Sequence, residues 1–519
     1  MPGSRPLILS IDQGTSSTKA LVVDAGGRII ARGSAPLALQ TPMPGWVQHD
    51  AMAVIESCAR AVDDVLAQVD SADIVAIGIS NQRESLVVWE RATGTPLSPV
   101  LSWQDRRTTE TCARLWEAGH GPAVRRISGL HLDPMFSAAK AAWLLDEVDP
   151  SRARSRAGEL CLGTIDSWLL WHLSGEHLIE AGNASRTSLL DLETGAWSDE
   201  LLSIFSVPLS VLPRIIPSAG MLATTRGFSA LPDGIPVTGV LGDSHAALFA
   251  HAGWLPGITK VTYGTGSSLM RVSNGTNEVA DGLCRTVAWS LPAEGATLAW
   301  EANILSTGAT LVWMASLLGT SVDELVRDAA DDSGGVTLVP AFNGLGAPWW
   351  DNDAQALMLG MSLATSRREL ARAALDSIVH QVADVVSTLA GIGAAPTVLV
   401  ADGGMSANRM LMQRQADMCA ASVEVASTAE LSALGAAHAA GVGCGMWTIS
   451  ELEAMPREYE SFSPVMDATA RERMREGWRG AVVRSLSTEQ RVKPHGDQRA
   501  HEMHENQSLP GEPAEGRKS

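Results

Sequence analysis

Asp12 follows the apolar run Leu7 to Ile11 and opens the segment Gln13-Gly14-Thr15-Ser16-Ser17-Thr18-Lys19. A tight turn of this composition offers hydroxyls and backbone N–H groups that can hold a phosphate. The carboxylate can hold a divalent cation such as Mg²⁺, directly or through water. Thr15, Ser16 and Ser17 would supply donors, and Lys19 positive charge. An ordinary hairpin turn with a capping aspartate has the same composition. Asp243 is placed similarly, after the run Ile235 to Leu241 and before small residues. A carboxylate there can take a proton from a hydroxyl or orient it for attack. It could equally cap the helix that follows.

Arg83 and Glu84 follow the run Ile74 to Ile79. A donor fork beside an acceptor suits a polyol, which offers both kinds of group, although a surface ion pair would read the same way. Trp103, in Ser-Trp-Gln-Asp-Arg-Arg, could wall the apolar side of such a pocket or belong to a core. Glycine turns recur at Gly264-Thr265-Gly266 and Asp402-Gly403-Gly404. The first could approach terminal phosphates, and the second could leave room for a nucleoside at a helix N-terminus. The chain has no GxxxxGK[ST] loop and no GxGxxG with a suitable acidic residue after it.

The elements that must position these residues alternate along the chain. Strands are expected at 7–11, 21–23 and 28–33, with a turn at Asp24-Ala25-Gly26-Gly27, then a helix over 51–69 and strands at 74–79 and 86–89. A second cycle starts near Gly234, with strands at 235–241 and 259–263. Its hydroxyl-rich loop, Gly264 to Ser268, echoes the opening hairpin. The pattern is α/β, with two related domains meeting near residues 250–258. Residues 367–390 place Leu370, Ala374, Ile378, Val382, Val385 and Leu389 on one helical face. After a strand at 397–401, a helix over 407–420 is expected with Ser406 as its N-cap. Leu431 to Ile449, mostly Ala and Gly, reads as a close-packed internal helix rather than a membrane span. From 487 to 519 the chain is polar and proline-punctuated, which predicts a disordered tail. His495, His501 and His504 lie in it and read as solvated rather than metal-binding.

Composition excludes several classes. In 519 residues, 39 Lys and Arg face 58 Asp and Glu, a net charge of −19. Such a surface repels phosphate backbones, so nucleic acid is not expected as a partner. The N-terminus lacks the apolar core of a signal peptide, and no membrane association is expected. Six cysteines, far apart and without a CxxC pair, suit reduced thiols in the cytoplasm.

Taken together and in order, the motifs resemble those of the FGGY carbohydrate kinases, and within them the glycerol kinases most closely. The resemblance covers roughly residues 7–480. It rests on Ile-Asp-Gln-Gly-Thr-Ser-Ser (11–17), Ser-Asn-Gln-Arg-Glu (80–84), Val-Leu-Ser-Trp-Gln-Asp-Arg-Arg (100–107) and Gly-Leu-His-Leu-Asp-Pro (129–134). It continues through Thr-Tyr-Gly-Thr-Gly (262–266), Pro-Ala-Phe-Asn-Gly-Leu-Gly-Ala-Pro-Trp-Trp (340–350) and Asp-Gly-Gly-Met-Ser-Ala-Asn (402–408).

The resemblance implies two actin/hexokinase-like (ribonuclease H-like) ATPase domains flanking a central cleft. These would be 7–252 for the acceptor and first phosphate loop, and 258–485 for the nucleotide. It implies transfer of the ATP γ-phosphoryl group to a primary hydroxyl of a small polyol or sugar. Asp12 then resembles the Mg²⁺-associated aspartate. Thr15, Ser16, Ser17 and Lys19 fall on the first phosphate loop, and Thr265, Gly308, Gly404 and Asn408 on nucleotide-contacting positions. Arg83, Glu84, Trp103, Met135, Asp243 and Ser244 fall on acceptor-binding positions, with Asp243 as catalytic base.

Departures from the glycerol kinase pattern concentrate on the acceptor. Met135 stands where a tyrosine is usual, Ser268 for a phenylalanine and Ser244 for a glutamine; on the nucleotide side, Val312 stands for a glutamine. A thioether and a hydroxyl in place of two aromatic walls should enlarge the acceptor pocket. Glycerol is thus the nearest analogue. Erythritol, a pentitol such as xylitol or ribitol, and a ketopentose such as xylulose or ribulose are alternatives. A regulator that binds nucleotide and sugar without catalysis is a more distant one. A glycine-rich loop for sugar-bisphosphate feedback is not recognisable in 220–236. A homodimer or homotetramer would be in keeping with the resemblance.

Overall fold

The computed structural model describes residues 6–273 and 280–488. The strands of its two principal sheets are numbered here along the chain. In the first, β1 (Leu7–Gln13), β2 (Ser17–Asp24) and β3 (Ile29–Pro36) form an antiparallel meander. Helix α1 (Ala51–Leu66) then leads to β4 (Ile74–Asn81), which pairs with β1 in parallel. Strands β5 (Ala219–Thr224) and β6 (Pro236–Gly242) complete the order β5-β6-β4-β1-β2-β3. Central strands are apolar on both faces because helices cover both, whereas edge strand β3 alternates buried and exposed.

Helix α2 (Asp243–Ala250) leads into the second sheet. This contains β7 (Ile258–Tyr263), β8 (Ser267–Val272), β9 (Cys284–Leu291), β10 (Gly295–Ile304), β11 (Val398–Asp402), β12 (Ser422–Ala426) and β13 (Tyr459–Phe462). Its order is β9-β10-β8-β7-β11-β12-β13. The succession β3-β2-β1-β4-β6 of the first sheet recurs as β10-β8-β7-β11-β12, with antiparallel and parallel pairings in the same places. The echo between the two hydroxyl-rich loops is therefore a repeat of whole α/β domains, as the actin/hexokinase-like expectation requires. A smaller four-stranded sheet, carrying Leu86–Glu90 and Leu160–Thr164, is inserted in the first half.

Helices α3 (Gly308–Leu318), α4 (Arg367–Gly391) and α5 (Arg409–Cys419) pack around the second sheet. The small-residue helix α6 (Leu431–Gly443) belongs to the second half in sequence but lies on the first sheet. Ser10 Oγ donates to the Ala433 carbonyl (2.6 Å) and Thr238 Oγ1 to that of Ala440 (2.8 Å). In turn, α2 reaches across to β7 and β8. The two helices cross between the sheets at backbone contact: a Cβ on Gly435 would collide with the Ala246 carbonyl. This is why the segment is so rich in Ala and Gly. Helix α7 (Ala468–Ser485) closes the far side of the second domain.

Several boundaries differ from the sequence expectation. Helix α1 stops at Leu66, capped by Asp50, whose Oδ1 accepts from the N–H of Met52 and Ala53 at 2.9 Å. The cap of α5 is Asn408, not Ser406. Ser406 lies in the preceding tight turn, donating to the Gly403 carbonyl (2.7 Å). Helix α6 ends at Gly443, because Gly445 turns with φ 76° and Thr448 begins a new helix through a Thr448–Glu451 capping box. The ordered chain also runs past 487. Leu486 is buried, and Ser487 N donates to Asp351 Oδ2 (2.7 Å). The rest of the expected tail, with its three histidines, lies outside the described residues. Among the described residues, no helix is long and apolar enough to cross a membrane.

Two Gly→Ala substitutions inside helices should therefore act with opposite sign. Gly435→Ala forces α6 away from α2 and should cost about 1–3 kcal/mol of stability. Gly477→Ala, exposed on α7 with nothing near its Cβ position, should stabilise by roughly 0.5–1 kcal/mol through helix propensity. Denaturant unfolding of the two variants checks both signs.

Candidate active site

Parallel pairing brings the carboxyl ends of β1, β4 and β6 side by side, with Asp12 beside Ser80 and Asn81 beside Gly242. Ligands of open α/β sheets bind at this edge. Ser80 Oγ donates to Asp12 Oδ1 (2.9 Å). Burial pushes the Asp12 carboxyl up to about 6. The Ser80 hydrogen bond opposes that shift, the Asp243 charge adds to it, and Lys19, opposite Asp12 on β2, opposes it. Two carboxylates thus share one cleft. Among the described residues, no group of three or more His, Cys, Asp or Glu could hold a metal ion by itself.

Arg83 and Glu84 are not a surface pair. Both are buried and turned apart, each toward another partner. Arg83 Nε donates to Asp243 Oδ1 (3.1 Å) and its Nη1 to Glu301 Oε2 (2.9 Å). Glu84 Oε1 accepts from Arg186 Nε (2.6 Å), and Arg186 Nη1 lies 2.9 Å from Glu301 Oε2. The result is a chain of charges, Asp243–Arg83–Glu301–Arg186–Glu84, buried except at its Asp243 end, of which only Glu301 comes from the second domain. Burial alone would raise the Glu301 pKa, but the Arg186 and Arg83 guanidiniums outweigh it and hold the carboxylate below its usual range. Burial would likewise lower that of Arg83, but Glu301, Glu84 and Asp243 keep it firmly protonated. Glu84 sits in the left-handed region (φ 60°), held there by Arg186 and by Ser137 Oγ on its carbonyl (3.0 Å). Such strain costs on the order of 1–3 kcal/mol and persists where the surroundings over-determine it.

Asp243 is the first residue of α2, and Gly242 occupies the cap position. Its Oδ1 accepts from Arg83 and from Ser244 N (2.6 Å). Trp103 Nε1 donates to Thr15 Oγ1 (3.0 Å), tying the aromatic wall to the first loop. Ser16 is exposed at the tip of that loop, and Gly14 N donates to the Ser17 carbonyl (3.0 Å). Met135 is buried among Leu130, Phe136 and Cys284, with Trp103 and Trp350 against the cluster. Trp350, from the second domain, stacks on His131 of the first at 4.3 Å. Beside it, Arg106 spans from Asp133 (3.2 Å) to Asn352 Oδ1 (3.3 Å).

Across the cleft, the Gly264–Gly266 turn docks on the start of α3. Gly308 N donates to the Gly264 carbonyl (3.1 Å), and Thr307 N and Ala309 N donate to that of Thr265 (3.1 and 3.0 Å). Thr265 is exposed at the tip. A Cβ on Gly308 would lie 2.6 Å from the Gly264 carbonyl oxygen, whereas one on Gly404 would meet nothing within 4 Å. Asn408 Oδ1 is committed to capping α5, accepting from Leu411 N at 3.0 Å. Val312 projects from α3 with 61% of its surface exposed.

Arg186, Glu301, Asn303 and Lys260 are absent from the motif reading. Their signal is weak but physical: Lys260 and Glu301 are lone charges in otherwise apolar strands, and such charges require partners. Arg186 follows a five-residue helix and gives no signal before the fold brings it to Glu84.

Residues 7–250 match the model for the N-terminal domain of the FGGY family of carbohydrate kinases, and residues 259–444 match the model for its C-terminal domain. A glycerol kinase of Aromatoleum aromaticum is 42% identical, over 92% of this chain and 98% of that one. An apulose kinase of Pectobacterium atrosepticum is 40% identical over the same shares of the two chains. The structure of Plasmodium falciparum glycerol kinase with ADP superposes with a TM-score of 0.87 at 30% identity, covering 94% of this chain and 99% of that one. With both family models matched and relatives at this level over nine-tenths of its length, the chain belongs to the FGGY family of carbohydrate kinases.

Proposed function

We propose that the chain transfers the γ-phosphoryl group of ATP to a primary hydroxyl of a small polyol or sugar, with Asp243 as catalytic base. The observation that carries this reading is the Asp243 carboxylate, held by Arg83 at 3.1 Å at the end of β6, in the same cleft as Asp12 and the first hydroxyl-rich loop. Both hydrogen bonds it receives go to Oδ1, which leaves Oδ2 for the acceptor hydroxyl. Asp243 takes the hydroxyl proton as the acceptor oxygen bonds to the γ-phosphorus, and the bond to the β–γ bridging oxygen breaks to leave ADP. Thr15, Ser16, Ser17 and Lys19 on one side and Thr265 on the other offer donors to the phosphates. Gly308, Gly404 and Asn408 shape the nucleoside side.

Mg²⁺ fits the residues present: Asp12 is a carboxylate pushed toward neutrality by burial and by Asp243, a site that a cation would relieve. When bound, the metal neutralises charge on the β- and γ-phosphate oxygens. Closure over the acceptor side, with Trp350 on His131 and Arg106 between Asp133 and Asn352, would exclude water and suppress ATP hydrolysis. In this reading 7–252 binds the acceptor, 258–485 binds the nucleotide, and the enzyme works in the cytoplasm.

Glycerol is the reference acceptor. The alternative is a four- or five-carbon polyol or a ketopentose, favoured by Met135 and Ser268 standing where glycerol kinases carry aromatic groups. Identity alone does not separate the two readings, since a glycerol kinase and an apulose kinase lie within two points of each other.

Asp243→Asn should lower turnover by about 10²–10⁴-fold, the usual contribution of a positioned base, while nucleotide binding is retained. Single-turnover kinetics beside nucleotide titration checks this, and near-wild-type turnover would assign the base elsewhere. A coupled ADP-release assay across glycerol, erythritol, xylitol, ribitol, xylulose and ribulose tests the acceptor. Wild type should use at least one longer acceptor as well as glycerol or better. The Met135→Tyr/Ser268→Phe double variant should shift preference toward glycerol by roughly 5–150-fold in kcat/KM, the worth of a hydrogen bond regained. A non-catalytic regulator would release no ADP with any of them.

A further inference from the structure

Lys260 is a fully buried lysine in the middle of β7, and the catalytic scheme makes no use of it. Val261 and Tyr263 point into the core of the second domain, so Lys260 points the other way, toward the start of α2. There Nζ donates to Ser244 Oγ at 3.0 Å. Among the described residues no carboxylate oxygen lies within 4.0 Å of it; burial lowers its pKa, an effect that Asp402, Asp243 and Glu301 oppose and Arg83 reinforces. Ser244 is next to the catalytic aspartate, and its Oγ lies 3.4 Å from Ser268 Oγ. Ser268 pairs across the sheet with Asn303, whose amide end lies 3.7 Å from Met135 Sδ. The surroundings of Asn303 fit the amide oriented with its nitrogen toward Glu301 Oε1 (3.3 Å) and its oxygen, the atom near Met135, toward Arg186 Nη2 (3.2 Å). Ser268 and Asn303 are partly accessible. Ser244, Ser268 and Asn303 therefore form a polar strip leading from Asp243 to Met135.

With Nζ as the donor at 3.0 Å, as in the ammonium form, Ser244 Oγ accepts from Lys260. This leaves the Ser244 hydroxyl proton to be given away, and the 3.4 Å contact with Ser268 is a poor use for it. An oxygen of a bound acceptor could take it instead. We infer that Lys260 is a positioning residue for acceptor choice: by fixing Ser244 as a donor beside Asp243, it favours acceptors that carry an oxygen, hydroxyl or carbonyl, beyond the third carbon. The inference rests on the kinase reading above and deepens it by naming the device that selects a four- or five-carbon polyol or ketose over glycerol.

The test measures kcat and KM of wild type, Lys260→Met, Ser244→Ala and the double variant on glycerol, erythritol, xylitol, ribitol, xylulose and ribulose. It also measures the melting shift that each acceptor causes without nucleotide. Lys260→Met should lower kcat/KM for the preferred longer acceptor by about tenfold more than for glycerol, mainly through KM, and should reduce its melting shift. Ser244→Ala should do the same, and the double variant should lose little more than either single one, because the two residues act as one unit. The polyol and ketose arms separate a hydroxyl from a carbonyl as the recognised oxygen. Equal losses on all acceptors, or a loss confined to kcat, would overturn the inference while leaving the kinase reading intact. Absence of ADP release by wild type on every acceptor would overturn both. Should Lys260→Met not fold, Ser244→Ala alone decides by the same ratio.

Discussion

The arrangement of this cleft depends on one chain of charges, Asp243–Arg83–Glu301–Arg186–Glu84, buried at every member but Asp243. Taking carboxylates and guanidiniums out of water is costly, and the chain is tolerable only because each ion meets an opposite one at hydrogen-bond distance. Removing Arg186 would leave the Glu84 carboxylate buried and unpaired, at a cost of about 3–5 kcal/mol. Geometry follows from that demand. Arg83 must reach both the Asp243 carboxylate and Glu301, so the end of β6 in one domain and strand β10 in the other are held at a set separation. Glu84 accepts a strained backbone because its carboxylate has to meet Arg186.

The packing between domains serves the same end. Helices α2 and α6 cross between the two sheets at backbone contact, and α6 lies on the sheet of the other half. Small residues make that crossing possible. Asp243 and Ser244, at the start of α2, are thereby fixed relative to Lys260 and Ser268 on the facing strands. The two glycine-punctuated loops project from equivalent hairpins of the repeated domains, so this end of the cleft is built twice from one plan. The other end is built once, from the insertion carrying Trp103 and Met135 and from the loop carrying Trp350. Under the proposed function, acceptor choice can therefore vary without disturbing the loops proposed to hold phosphate.

Much of this was legible in the residues alone. The alternation of apolar runs with amphipathic segments specified α/β domains, and the two hydroxyl-rich turns revealed the internal repeat. Asp12, Asp243 and the glycine turns were visible because their chemistry sits at strand ends, where local sequence sets both the turn and the side chain presented. Helix ends were less legible. Ser406 and Asn408 are both good caps, and the choice fell to Asn408 because a tight turn uses Ser406 first. Only the tertiary structure could decide that Arg83 and Glu84 face opposite ways, or that their partners are Glu301 and Arg186, 218 and 102 residues away. The same holds for Lys260 reaching Ser244. A buried charge announces in sequence that it needs a partner, but which partner it meets is set by how two domains close on each other.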